Sequence, residues 1–337
     1  MDIKVIGLDL AKNVFQVAGL DASGRTVLRR QLRRAEVLRF FANTQPALVG
    51  MEACGGAHYW AREIAKLGHR VKMMNPKYVK AYVKTNKNDR ADAAAIAEAA
   101  TRASVPMVPV KQVWQQDLQS VHRVRSQLMR ERVAVGNQIR GLLTEYGLVA
   151  AKGVTQLKRA LPQILEDAEN ALSPLIRQLL AQRYAHLCAL ETQIAEYDRM
   201  ITRAAHEHEG CKALLEVPGI GVMGATALVA QVNDARHMKN GREIAAREGL
   251  VPRHYGTGGS ERMGGISKRG DGYIRTLFVH GARAVLRTAP RKTDRLSRWA
   301  VELSKRRGPN VAAVAIANKM ARIAWVILAR GQRYQPQ

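Results

Sequence analysis

Ile3-Lys4-Val5-Ile6-Gly7-Leu8-Asp9 is a short apolar run that ends on a carboxylate. It reads as a buried strand with an aspartate at its C-terminal end. Val14 to Leu20 reads as a second strand and Thr26 to Leu32 as a third, with Asp21-Ala-Ser-Gly24 as the turn between them. A helix is expected at about 35–43. Ala47 to Met51 reads as a fourth strand and runs into Glu52. Residues 58–67 have the pattern of an amphipathic helix closed by Gly68, and Arg70 to Met74 reads as a fifth strand stopped by Asn75-Pro76. From there to about residue 103 the pattern is helical. This alternation predicts α/β layering.

Three adjacent strands, then a helix, a strand, a helix and a strand, is the order of a ribonuclease H-like domain. Neighbouring strands would set Asp9 beside Glu52. Lys87-Asn-Asp-Arg-Ala-Asp92 adds Asp89 and Asp92, three apart and so on one face of a helix. Four converging carboxylates can hold two Mg²⁺ ions, which activate an attacking oxygen and stabilise a leaving one on phosphate. Each residue alone is weak evidence: Glu52 also fits a cap, and Asp92 a surface helix position.

The charge balance gives these carboxylates their meaning. The chain of 337 residues has 54 Lys+Arg against 28 Asp+Glu, a formal net charge of +26. The excess is spread along the chain: Arg29, Arg30, Arg33 and Arg34; Lys72, Lys77, Lys80, Lys84 and Lys87; Arg123, Arg125, Arg130 and Arg132; Arg262, Lys268, Arg269 and Arg275. A polyanion contacted over much of the surface fits this better than a merely solvated basic face. Aromatic residues are only 5%, which argues against a protein that works mainly by stacking single-stranded bases. Hydrophobic content of 47% excludes wholesale disorder. Cys54, Cys188 and Cys211 show no metal-ligand spacing and read as reduced thiols of a cytosolic protein. No uninterrupted apolar run approaches bilayer length, and the first residues lack a signal-peptide layout, so no membrane partner is expected.

Beyond residue 105 the pattern is helical. Leu118, Val121, Val124, Leu128, Val135, Ile139 and Leu142 recur at helical spacing over about 113–146. A stretch with Pro162 and Pro174 interrupts, and a second long helix is expected over about 174–208. The near-heptad spacing allows the two helices to pair as a coiled coil, within or between subunits, or simply to brace a core. Glu216-Val-Pro-Gly-Ile-Gly221 before a small-residue helix suggests a helix-hairpin-helix, in which Gly219 and Gly221 offer backbone N–H groups to phosphate; an ordinary tight turn is the bland reading. Gly249-Leu-Val-Pro252, a glycine-rich stretch at 256–265 and Ile266-Ser-Lys-Arg-Gly270 follow, and a helical end runs from about 272 to 331.

The strings G-L-D-L-A-K, G-M-E-A-C-G, N-P-K, K-N-D-R-A-D-A, P-G-I-G, G-L-V-P-R and I-S-K-R-G-D-G-Y-I-R occur in that order. In this order they resemble insertion-sequence transposases of the DEDD type over nearly the whole chain. The resemblance implies an N-terminal RuvC-like domain (1–105), a helical coiled-coil middle (106–210) and a mostly α C-terminal transposase domain (211–337). It assigns Asp9, Glu52, Asp89 and Asp92 to a catalytic metal tetrad using Mg²⁺. It implies a bacterial, cytoplasmic and nucleoid-associated recombinase. The partners it implies are a structured non-coding guide RNA (a bridge or seeker RNA), donor and target DNA, and further copies of itself as a dimer or tetramer. The family's nucleophilic serine corresponds here to Thr257, within Tyr255-Gly-Thr-Gly-Gly259, with Ser260 and Ser267 close by. Arg253, Arg262, Lys268, Arg269 and Arg275 are then expected to hold nucleic-acid backbones. Two other readings stay open: a metal-dependent, junction-resolvase-like endonuclease that needs only the tetrad and water, and a basic scaffold without enzymatic activity.

Overall fold

The structure is a computed structural model that describes residues 2–83, 89–232 and 234–336; the side chains of 89–91 are also outside the described set. Lys84, Lys87 and the Asp89 side chain therefore lie outside the described residues. The chain divides into two compact units, Met1–Gln112 and Val113–Gln337.

The first unit runs β1 (Val5–Asp9), β2 (Val14–Leu20), β3 (Thr26–Arg33), α1 (Val37–Ala42), β4 (Leu48–Glu52), α2 (Ala57–Lys66), β5 (Arg70–Met74), α3 (Pro76–Val79), α4 (Asp89–Thr101) and β6 (Met107–Val108). Among the described residues these strands form a mixed sheet in the order β3-β2-β1-β4-β5-β6. β1–β2 and β2–β3 are antiparallel, whereas β1–β4 and β4–β5 are parallel. Five strands of that order are those the sequence predicts. β6 is too short for a periodic signal, and pairs antiparallel with the end of β5.

Side chains alternate across the sheet. Ile6, Leu8, Val49 and Met51 go to one face, where they pack with Phe41, Trp60 and Ile64 of α1 and α2. Val5 goes to the other face, with Ile96, Ala97 and Ala100 of α4. That face has no side chain at Gly7 or Gly50, which pair in register. A Cβ on Gly7 would lie 2.0 Å from the Ala93 carbonyl oxygen, and one on Gly50 would lie 2.6 Å from the Ala100 Cβ. Two glycines and an alanine-rich helix thus permit backbone-to-backbone approach of α4 to the sheet centre. Lys72 Nζ donates to the carbonyls of Ala100 and Arg102 at 3.2 and 2.7 Å, tying down the C-terminal end of α4 with a cation. Gly7→Ala is expected to destabilise the protein by about 3 kcal/mol, because the obstacle is main chain and cannot rotate away. A urea midpoint equal to wild type would refute this close approach.

The second unit is mostly helical: α5 (Val113–Glu145), α6 (Val154–Glu166), α7 (Pro174–Glu207), α8 (Glu209–Leu215), α9 (Val222–Gln231), α10 (Gly241–Arg247), a hairpin of β7 (Pro252–Thr257) and β8 (Ser260–Ile266), α11 (Gly272–Thr288), α12 (Arg295–Arg307) and α13 (Pro309–Arg330). α5 and α7 pack along one another through Val135, Ile139, Leu143, Leu180, Leu187 and Leu190. The expected interruption at Pro162 is itself helical, since α6 contains that proline. Burial of Leu157 and Leu161 against α5 and α7 outweighs the lost backbone hydrogen bond. A second core gathers α8 to α13, and Gln115 of α5 donates to the Val229 carbonyl of α9 at 3.1 Å. The helical middle and the C-terminal segment are therefore one compact unit. α13 is long and apolar enough, by length and composition, to cross a membrane. Its stripe of Ile316, Ala317, Met320, Ala321 and Ala324 is instead buried in this core.

Candidate active site

Leu8 pairs with Met51, so the next residues, Asp9 and Glu52, stand side by side at the carboxyl ends of parallel strands. Parity places both on the α4 face: each follows its helix-facing glycine by two residues. α4 crosses the sheet with its C-terminal half toward the start of β1, since Glu98, Thr101 and Arg102 line one cavity with Lys4 and Val5 while Ala93 and Ala97 cover Gly7. The N-terminal end of α4, which carries Asp92, is thereby directed toward the Asp9 end of β1. Asp92 precedes Ile96 by four residues and so shares the stripe that covers Gly50. Asp9, Glu52 and Asp92 are all half-buried.

Cys54 lies beside these two carboxylates. Burial raises its thiol pKa, and the charges of Glu52 and then Asp9 raise it further. Both carboxylates therefore act on one point just beyond β4. The thiol stays protonated at neutral pH and leaves the site to oxygen donors. Among the described residues, no three His, Cys, Asp or Glu side chains form a group that could hold a metal ion. What is brought together is the pair Asp9–Glu52, with Asp92 on the facing helix and Asp89 opening that helix. Neighbouring carboxylates are hard donors and suit Mg²⁺.

The glycine-rich stretch at 256–265 belongs to a β-hairpin. Thr257 pairs with Ser260 across a turn at Gly258-Gly259, whose φ values are 54° and 85°. Two consecutive left-handed residues match the right-handed twist of the strands, and glycine adopts them without strain. The period that betrays a strand is missing because no face of this hairpin is buried: β7 is exposed at every position. Cross-strand partners share a face, so Thr257, Ser260, Tyr255 and Arg262 line one side of the ribbon. The Tyr255 ring and Arg253 lie closest to Gly264 on that same side. Two hydroxyls and the arginines Arg253 and Arg262 are thus presented together to solvent.

The other sequence-selected residues fare differently. Lys268 and Arg269 are exposed, and Lys268 holds a left-handed backbone with φ 53°. Arg275 donates from Nη1 to the carbonyls of Glu248 and Arg269, both at 3.1 Å, so it braces the root of the hairpin. Gly219 packs against α11, where an added Cβ would meet the Gly281 carbonyl oxygen at 2.9 Å. Gly221 is exposed and caps α9.

Sequence reasoning missed Glu248, which is 1% exposed at the same hairpin root. Neither carboxylate oxygen has a hydrogen-bond partner among the described residues. Burial pushes its pKa up to about 7, with Asp271 adding to the rise and Arg247 and Arg275 opposing it. The folded state thus holds this proton more tightly than the unfolded chain. The group's contribution is fully present below the ordinary carboxylate range and is lost as pH rises through about 7. Glu248→Gln is therefore expected to gain about 2 kcal/mol on wild type between pH 5 and pH 8, by urea denaturation. Parallel stability profiles for the two proteins would contradict it.

Comparisons with known proteins agree along the chain. Residues 6–148 match a family model for the DEDD domain of IS110-type elements, described as "Transposase". Residues 211–297 match the "Transposase IS116/IS110/IS902 family". The chain is 50% identical over 337 residues, all of both chains, to a "Probable family 20 transposase" of Pseudomonas aeruginosa. It is 42% identical over 334 residues to the "Transposase for insertion sequence element IS1111A" of Coxiella burnetii, covering 99% of this chain and 92% of that one. It is 39% identical over 330 residues to the "Transposase for insertion sequence element IS1328" of Yersinia enterocolitica, covering 98% of each.

Proposed function

The chain belongs to the IS110 family of transposases, enzymes of DNA recombination, and from that premise we propose an RNA-guided recombinase that works through a covalent protein–DNA intermediate. The observation that carries the chemistry is the pairing of Asp9 with Glu52 at the ends of β1 and β4, on the face covered by α4. Asp89 and Asp92 complete the proposed tetrad. Asp9, Glu52, Asp89 and Asp92 would hold a divalent ion such as Mg²⁺, which would supply positive charge to a scissile phosphate.

The Thr257 hydroxyl is the proposed nucleophile. Its oxygen forms a bond to phosphorus as the bond from phosphorus to one DNA oxygen breaks. The hydroxyl proton leaves to a base, and the released DNA oxygen takes up a proton. Rejoining reverses this with a different DNA hydroxyl, so no phosphodiester is lost to water. Arg262 and Arg253, on the same hairpin face, attract the phosphate by charge-assisted hydrogen bonds.

The net charge of +26 supports simultaneous binding of a structured guide RNA and two DNA duplexes. Exposed apolar residues on the long helices, among them Val133 (49%), Leu175 (71%) and Met200 (54%), support a homo-oligomer formed through coiled-coil contacts of α5 and α7. The turn between α8 and α9 supports a helix-hairpin-helix contact to a phosphate backbone.

The test is direct. Purified protein with its RNA, Mg²⁺ and a nicked, labelled DNA substrate should yield protein that carries label after denaturation. Cutting without any adduct would sink this reading in favour of a metal-dependent, junction-resolvase-like endonuclease. No cutting in any divalent metal would leave only a binding scaffold.

A further inference from the structure

A cavity of about 410 Å³ opens between α5, α9 and α11, within the second unit. It is within the size range of small-molecule sites, about 300–1,000 Å³. Its floor is a hydrogen-bonded chain whose polarity can be worked out. The Thr226 hydroxyl donates to the Val222 carbonyl at 2.6 Å, so its oxygen is left to accept. His122 Nε2, 3.0 Å away, must therefore be the donor to Thr226. Burial lowers the His122 pKa to about 4, helped by the charge of Arg125, so the ring is neutral at pH 7. With Nε2 protonated, Nδ1 is a bare acceptor. The Tyr273 hydroxyl, 3.0 Å from it, must then donate to Nδ1. The Tyr273 oxygen consequently has no proton for the cavity, and the Arg125 guanidinium lies beside it as a donor.

Two neighbouring groups add acceptors. Gln231 Oε1 is buried at this cavity with no hydrogen-bond partner among the described residues. Asp271 receives the backbone N–H groups of Tyr273 and Ile274 on Oδ1, which leaves Oδ2 as a further acceptor. Acceptors from two elements, Gln231 at the end of α9 and Asp271 at the start of α11, thus line one cavity, and a buried acceptor without a donor is costly. Two cationic groups besides the Asp198-paired Arg125 are at the exterior: Arg123 and Arg130 are exposed, and Arg130 Nη1 lies 3.4 Å from Ser126 Oγ on the cavity wall.

An acceptor-lined recess beside two exposed guanidinium groups calls for a ligand with N–H donors at one end and an anion at the other. We infer that this cavity binds one unstacked nucleotide of a bound nucleic acid strand, with a base that carries an exocyclic amino group. Adenine, cytosine and guanine each present an amino group to the Gln231 and Asp271 acceptors. Uracil and thymine present one ring N–H flanked by two carbonyl oxygens, which would face acceptors with acceptors. Arg123 and Arg130 take the phosphate. The inference rests on the nucleic-acid reading above but not on its chemistry, since it uses neither Asp9 nor Thr257.

The test is metal-free, so that failure of the recombinase reading and failure of this one are separable. Saturation-transfer NMR on the full chain in EDTA, with the four ribonucleoside 5′-monophosphates as probes, should show contact with AMP, CMP and GMP. UMP should bind about tenfold more weakly, the cost of one mispaired polar contact. Gln231→Leu should erase that preference, and Ser126→Trp should block all four. An oligocytidine should displace CMP where an oligouridine of equal length does not. Equal binding of all four by wild type, or signals unchanged in Ser126→Trp, would overturn the site. Failure of oligocytidine to displace CMP would overturn its assignment to a polynucleotide and leave a free-nucleotide site.

Discussion

Asp9→Asn is expected to lower DNA strand exchange by about three orders of magnitude while RNA and DNA binding stay near wild type. The substitution keeps the size of the side chain and removes only its charge. Asp9 ends a strand whose preceding residues, Ile6 and Leu8, are fully buried, so the fold has no reason to yield. Its neighbour Glu52 would then face the phosphate charge with one carboxylate fewer to hold a cation between them. Binding draws on a net charge of +26 spread over the chain, and a change of one unit barely alters it. The measurement is recombination of a two-plasmid substrate in Mg²⁺, beside a gel-shift titration. Normal exchange by the variant would remove Asp9 from the reaction. Lost binding together with lost exchange would instead indicate a damaged fold.

Thr257→Ala should abolish the covalent adduct, a loss of about four orders of magnitude, as expected when a nucleophile is removed from a unit that acts together. Thr257→Ser should retain it, since the hydroxyl survives and the crowding methyl is gone. The hairpin sharpens this experiment, because Ser260 is the cross-strand partner of Thr257 and offers a second hydroxyl at the same turn. Digestion of the adduct and identification of phosphothreonine or phosphoserine distinguishes the two without any mutation. Phosphoserine at 260, with full activity in Thr257→Ala, would move the nucleophile across the turn. Both residues are exposed, so alanine at either is not expected to unfold the protein.

The sequence by itself determined the strands that carry Asp9 and Glu52, the two long helices and the basic character, because these are local signals. Apolar runs, a period of 3.6 and a charge count need no partner to be read. The order of the motif strings likewise placed the chain in its family. Tertiary structure decided what depends on distant segments meeting. Gly7-Leu-Asp9 and Gly50-Met-Glu52 repeat one spacing in the sequence, but only α4 lying over both glycines shows why: the strand centre must be bare for the helix to approach, and parity then turns both carboxylates to that face. The stretch at 256–265 hid a hairpin because its faces are solvated and leave no alternation. Arg275, one more basic residue in the sequence, is spent on two backbone carbonyls. The helical middle joined the C-terminal core through Gln115 and His122, polar residues whose burial no periodicity announces. Burial of a polar group is favourable only when a partner arrives from elsewhere in the chain, and that arrival is a property of the fold.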